Sequence, residues 1–155
     1  MVEGLVRLVF IAVMAMTCAA FVGCATRAPD AVIFDLPVQD PLNDSPAKSL
    51  WQSGVQARDN NNLAAASRYF ERALSLAPDS SWLYRELAEL RLRQGDDAAA
   101  EGLARKALRY APSDPAYQSV LWQLVATSRQ RQGNEKGAES ARREADMLWS
   151  RKAAK

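Results

Sequence analysis

Histidine is absent from this chain of 155 residues, and its two cysteines both lie before residue 25. Without imidazole there is no side chain that ordinarily titrates near neutral pH, and the commonest transition-metal ligand is missing. Beyond Cys24 there is no thiolate nucleophile, no disulfide and no Cys-based metal site. The seven glycines are scattered, with no cluster of the kind that wraps a phosphate. Val and Ile are scarce after residue 46 while Ala is abundant, which favours helix over sheet. Two short stretches imitate chemistry. Ser45-Pro46-Ala47-Lys48 has the letters S-x-x-K, but no partner motifs follow it. Asp96-Asp97 looks like a paired carboxylate, yet it stands where acids favour the start of a helix. The expectation is a chain that is not an enzyme and that carries no cofactor and no metal.

What the chain does have is an internal repeat. When Asn61 is set against Gly95, two segments run in register at a spacing of 34 residues. Ala66 then meets Ala100, Ala73 meets Ala107, Leu74 meets Leu108, and Ala77-Pro78 meets Ala111-Pro112. Gly54 falls on Ala88 and Leu50 on Tyr84. Small residues at fixed offsets let two helices approach closely, and the closing Pro ends the second helix because it lacks an N–H and biases its predecessor away from helix. Asp79 and Ser80 follow the first of those prolines, and Ser113 and Asp114 the second, offering N-caps for the next helix. A third unit appears when Gly133 is aligned with Gly95, at a separation of 38. The four added residues, around Pro115 to Gln118, lengthen the start of that unit's first helix. Arg142 then occupies a place that is apolar elsewhere, and Ser150 replaces the closing Pro. The last helix, from about Asn134 to Arg151, carries an apolar stripe of Ala138, Ala141, Ala145 and Leu148 and reads as a cap.

This pattern resembles the tetratricopeptide repeat. The resemblance implies an all-α, right-handed solenoid of about three helix-turn-helix repeats, six helices in all, with repeats at about 47–80, 81–114 and 119–152. Its small crossing residues would be Gly54 with Ala66, and Ala88 with Ala100. Members of the family bind proteins or peptides in a concave groove lined by the first helix of each repeat. Carried onto this chain, the groove positions give Trp51 and Arg58 in the first repeat, Trp82, Arg85, Glu89 and Arg93 in the second, and Gln123 and Arg131 in the third. Glu89 stands one turn beyond Arg85, where it would orient that guanidinium towards an incoming carboxylate or carbonyl. Trp82 reads either as an anchor for the partner or as core. The family's carboxylate-clamping groove uses Asn where this chain has Glu89, so that class of partner is disfavoured.

The first 46 residues are of another kind. Arg7 precedes an apolar run from Leu8 to Val22, too short for a comfortable bilayer span and suited to a signal peptide. Its end, Phe21-Val22-Gly23-Cys24, resembles a bacterial lipobox, which implies a signal peptide at 1–23 and a mature chain lipidated on Cys24. Ala25 follows, rather than the Asp associated with retention at the inner membrane. The resemblance therefore points to the outer membrane's periplasmic leaflet, with the periplasmic face of the inner membrane as the alternative. Residues 25–46 hold four of the seven prolines, and four Asp against one Arg, the composition of a tether. The apolar island Ala31–Leu36 within it either lies along the first repeat or docks another protein. From Ala47 onward there are 18 Lys and Arg against 13 Asp and Glu, interspersed as on a solvated surface. Export argues against nucleic acid as a partner. The leading function is a lipid-anchored periplasmic adaptor for protein–protein interaction in cell-envelope assembly. The alternatives are a self-associating structural protein and a non-catalytic subunit of an envelope enzyme.

Overall fold

The computed structural model describes Leu42 and residues 45–153, so Cys24, the signal run and the island Ala31–Leu36 lie outside the described residues. Among the described residues six helices follow one another: α1 Lys48–Asp59, α2 Leu63–Leu76, α3 Ser81–Gln94, α4 Asp97–Tyr110, α5 Pro115–Arg131 and α6 Glu135–Ala153. Among the described residues there is no strand. Each helix packs on its neighbours in sequence, and α3 also meets α5, which is the arrangement of stacked helical hairpins.

The turn inside each hairpin is built three times in the same way. Asn61, Gly95 and Gly133 adopt φ of +57°, +79° and +76°. Their N–H groups bond back to Arg58, Leu92 and Gln130. The next N–H, from Asn62, Asp96 or Asn134, reaches the carbonyl of Ala57, Arg91 or Arg129. This pair of bonds is the Schellman closure, which uses a left-handed residue to satisfy the last carbonyls of a helix. The same residues then start the second helix, since Asn62, Asp96 and Asn134 accept from the backbone N–H of Ala65, Ala99 and Gly137. Ser80 caps α3, and Asp114 caps α5 with Pro115 at the first turn. The added residues of the third unit lengthen α5 to 17 residues, against 14 in α3.

Small side chains fill the crossings. Ala66, Ala73, Ala88, Ala100, Ala104 and Ala107 are buried, as are Ala138, Ala141 and Ala145 of α6. Gly54 is buried too, and a methyl group built on it would overlap the Phe70 ring, so its closest neighbour is Phe70 rather than Ala66. Phe70 in turn packs with Leu83, Leu87 and Leu90 of the next hairpin. Arg142 lies exposed while Ala141 beside it takes the buried place, which is how α6 absorbs a charge at a position apolar in the other repeats. Buried hydroxyls add a second repeated device. Ser81 Oγ donates to the Ala107 carbonyl at 2.8 Å, and Ser119 Oγ donates to the Ala145 carbonyl at 2.9 Å. Each bond ties the start of a first helix to the second helix of the same hairpin. The first hairpin has Ala47 at that place, fully buried and without a hydroxyl. Leu42, within the stretch read as tether, is 2% exposed and belongs to the first core cluster.

Candidate partner-binding surface

The first helices of the hairpins, α1, α3 and α5, carry all the groove residues expected from the sequence. Between α1 and α3 they converge on a residue that the sequence reading did not single out. Glu86 is buried at 7% exposure, accepts from Arg58 Nη1 at 2.6 Å, and accepts from Trp51 Nε1 at 3.4 Å. Arg58 also donates from Nε to Asp59 at 3.1 Å. Burial pushes the Glu86 carboxyl above its ordinary range; the charge of Glu89 adds to this, and Arg58 and Arg85 only partly offset it.

One turn on, Arg85 Nε pairs with Glu89 at 2.8 Å, and the Arg85 guanidinium lies 4.9 Å from the centre of the Trp82 ring. Trp82 stacks on Tyr117 of α5 at 5.8 Å. Tyr117 OH in turn meets Ser81 Oγ at 3.1 Å, and burial raises its pKa to about 12. These contacts make two clusters that adjoin on α3: Glu86 with Trp51 and Arg58 of α1, and Glu89, Arg85 and Trp82 with Tyr117 of α5. Trp82 is partly buried and its indole N–H meets no acceptor among the described residues, so it contributes to packing as well as to the surface.

The other expected residues stand apart. Arg131 Nη1 donates to the Leu92 carbonyl at 2.8 Å and lies 3.7 Å from Asp97, tying the end of α5 to the α3–α4 turn. Arg93 is exposed and Gln123 half-buried, and no hydrogen bond or ion pair joins either to these clusters among the described residues.

The balance of charge restricts what such a surface could bind. Two arginines face two glutamates, and the side chains of Arg58 and Arg85 are only 17% and 11% exposed. A ligand carboxylate aimed at either arginine must compete with a carboxylate already in place. What remains available is aromatic surface, the amide of Gln123 and the cation of Arg93. Two hollows border the clusters. A shallow one of about 470 Å³ runs along α1 beside Trp51, Val55 and Gln56. A larger one of about 830 Å³ lies at the end of the hairpins and has Trp82 and Tyr117 in its wall.

The candidate catalytic imitations resolve into structure. Ser45 Oγ accepts from the backbone N–H of Ala47, and Asp96 is the N-cap of α4. Among the described residues no group of three His, Cys, Asp or Glu is placed to hold a metal ion. No helix among them is long and apolar enough to cross a membrane.

Residues 57–124 match the tetratricopeptide repeat family. No curated protein matches the chain. Among solved structures, the globular C-terminal domain of P. aeruginosa LpoP is 39% identical, with a TM-score of 0.63; the match covers 66% of this chain and 97% of that domain. The N-terminal domain of the stress-induced protein-1 (STI-1) from C. elegans gives the same TM-score of 0.63 over 66% of this chain and 83% of that one. At 15% identity it shares the fold alone.

Proposed function

The chain belongs to the tetratricopeptide-repeat family, and we propose that it is a non-enzymatic adaptor, lipid-anchored through Cys24 on the periplasmic leaflet of the outer membrane, that docks a protein partner of the cell envelope on the face formed by α1, α3 and α5. The observation that carries this reading is the two adjoining clusters, one of Trp51, Arg58 and Glu86 and the other of Trp82, Arg85, Glu89 and Tyr117. They set two tryptophans and two arginines on consecutive first helices, and these residue types dominate measured binding energies. The LpoP likeness supports the division of the chain, since the matched part there is a globular C-terminal domain and the repeats here follow an N-terminal leader and tether. The anchor rests on the sequence Val22-Gly23-Cys24 alone.

The clusters also refine which residues touch the partner. Arg58 and Arg85 are held by Glu86 and Glu89, so they shape the surface, while Arg93 and Gln123 meet the partner directly. Replacing both Arg93 and Gln123 by Ala is expected to abolish partner capture in cells and to leave the melting point within a few degrees, because neither side chain is held by the fold. Capture that survives the double change would move the docking surface elsewhere. The lipid is checked separately by metabolic labelling with a palmitate analogue, which should mark the natural chain and not Cys24→Ser. A second reading, self-association, has its own support. Met147 and Trp149 on the last helix are each 43% exposed, and sedimentation velocity of the chain in detergent would detect copies stacking there.

A further inference from the structure

Stacked hairpins place every turn between repeats at one end of the molecule. The turns at 77–80 and 111–114 both lie there, and so does the chain where it comes into the fold at Leu42. Between them is the cavity of about 830 Å³, lined by Leu42, Pro78, Trp82, Tyr110, Pro112 and Tyr117. Three aromatic rings and two prolines form its apolar side, polar residues such as Ser45, Asp79, Asp114 and Lys152 share the wall, and Tyr110 in it is 40% exposed. A hollow of this size and lining is typical of a site that receives a ligand.

The chain reaching this cavity reads Phe34-Asp35-Leu36-Pro37-Val38-Gln39-Asp40-Pro41-Leu42. Apolar side chains stand at alternate positions, 34, 36 and 38, with Asp35, Pro37 and Gln39 between them. Proline holds its own φ at about −65° and biases the residue before it towards extended conformations, in which alternate residues share one side. Extended proline-containing segments dock against aromatic-lined grooves because little chain entropy remains to be lost.

We propose that Phe34–Val38 of this chain occupies the cavity beside Leu42 and completes the repeat domain there, with Leu36 and Val38 on the aromatic wall and Asp35 and Gln39 outward. Two observations select this occupant. Leu42 is 2% exposed, so the segment's C-terminal end is pinned at the cavity wall. From there Leu36 is six residues away, within about 20 Å of extended chain. A segment tethered so closely meets the site at an effective concentration on the order of millimolar, which a separate partner rarely matches. This inference is independent of the partner-docking reading.

With Cys18 and Cys24 replaced by Ser, a pair of introduced cysteines reports the contact without interference. The full chain is prepared with Leu36→Cys combined with Pro112→Cys, at the cavity. A control chain combines Leu36→Cys with Gln94→Cys, at the far end of α3, about 20 Å away along the helix. Under mild oxidation the first pair is expected to form an intramolecular disulfide at least about tenfold faster than the second. Leu36→Cys with Asp79→Cys serves as a second cavity pair should the Pro112 change disturb its turn. Equal rates for cavity and control pairs would overturn the proposal. So would disulfides that form only between chains, which would assign the cavity to a second copy.

Discussion

Tyr117 shows how one side chain can be shared between packing and surface. Its ring carries Trp82, its hydroxyl reaches Ser81, and burial raises its pKa from 10.0 to about 12. Below pH 10 the phenol is protonated in both the folded and the unfolded chain, so it adds no pH dependence. Between pH 10 and 12 the unfolded chain loses the proton first, and stability falls by on the order of 2 kcal/mol. Chemical denaturation across that window should show the loss in the natural chain and a shallower loss in Tyr117→Phe. Identical slopes would mean that the hydroxyl is not buried. Glu86 illustrates the limit of a one-dimensional reading at this scale. Its partners Trp51 and Arg58 are 35 and 28 residues distant, and nothing local separates a buried Glu on a helix from a solvated one. The groove positions were legible because they recur with the repeat. Glu86 was not, because the equivalent places hold Gln52 and Leu124.

At the scale of the element, the repeat makes each hairpin a control for the others. The left-handed turn residue is Gly in two hairpins and Asn in the first, and a side chain there costs about 1 kcal/mol even for Asn, which tolerates the conformation best. Asn61→Gly should therefore raise stability by up to about 1 kcal/mol, and Gly95→Ala should lower it by about 1–2 kcal/mol, both read from thermal melts. The alignment of Asn61, Gly95 and Gly133 was the strongest statement in the sequence, because only a few residues accept that backbone. The serine ties were not visible in it, since a hydroxyl at the start of a helix reads as a cap. They make an equally direct comparison. Ser119→Ala removes the bond to Ala145 and leaves a buried carbonyl short of a partner, at a cost of about 1 kcal/mol. Ala47→Ser, at the matching place in the first hairpin, should form the bond to Ala73 that this hairpin lacks and raise the melting point slightly. A lowered melting point there would show that the first hairpin is not superposable on the other two.

For the whole molecule, the periodicity of small residues determined architecture and register, while the chemistry of the surface came from contacts between repeats. The clusters of Trp51 and Arg58 with Glu86, and of Arg85 and Trp82 with Tyr117, join pairs of helices that are adjacent only after the hairpins stack. Their charges are balanced internally, which favours a partner that brings apolar and amide surface over one that brings a carboxylate. The central claim is that α1, α3 and α5 present the docking face, and site-specific photo-crosslinking in cells tests it most directly. A crosslinker is placed in turn at Arg93, Gln123 and Gln130 on the first helices, and at Arg68, Arg105 and Arg143 on the second helices, all of them exposed except Gln123, which is half-buried. The same adduct from all three first-helix positions, and from none of the second-helix positions, is the predicted result. Adducts from the second-helix positions alone would contradict the account.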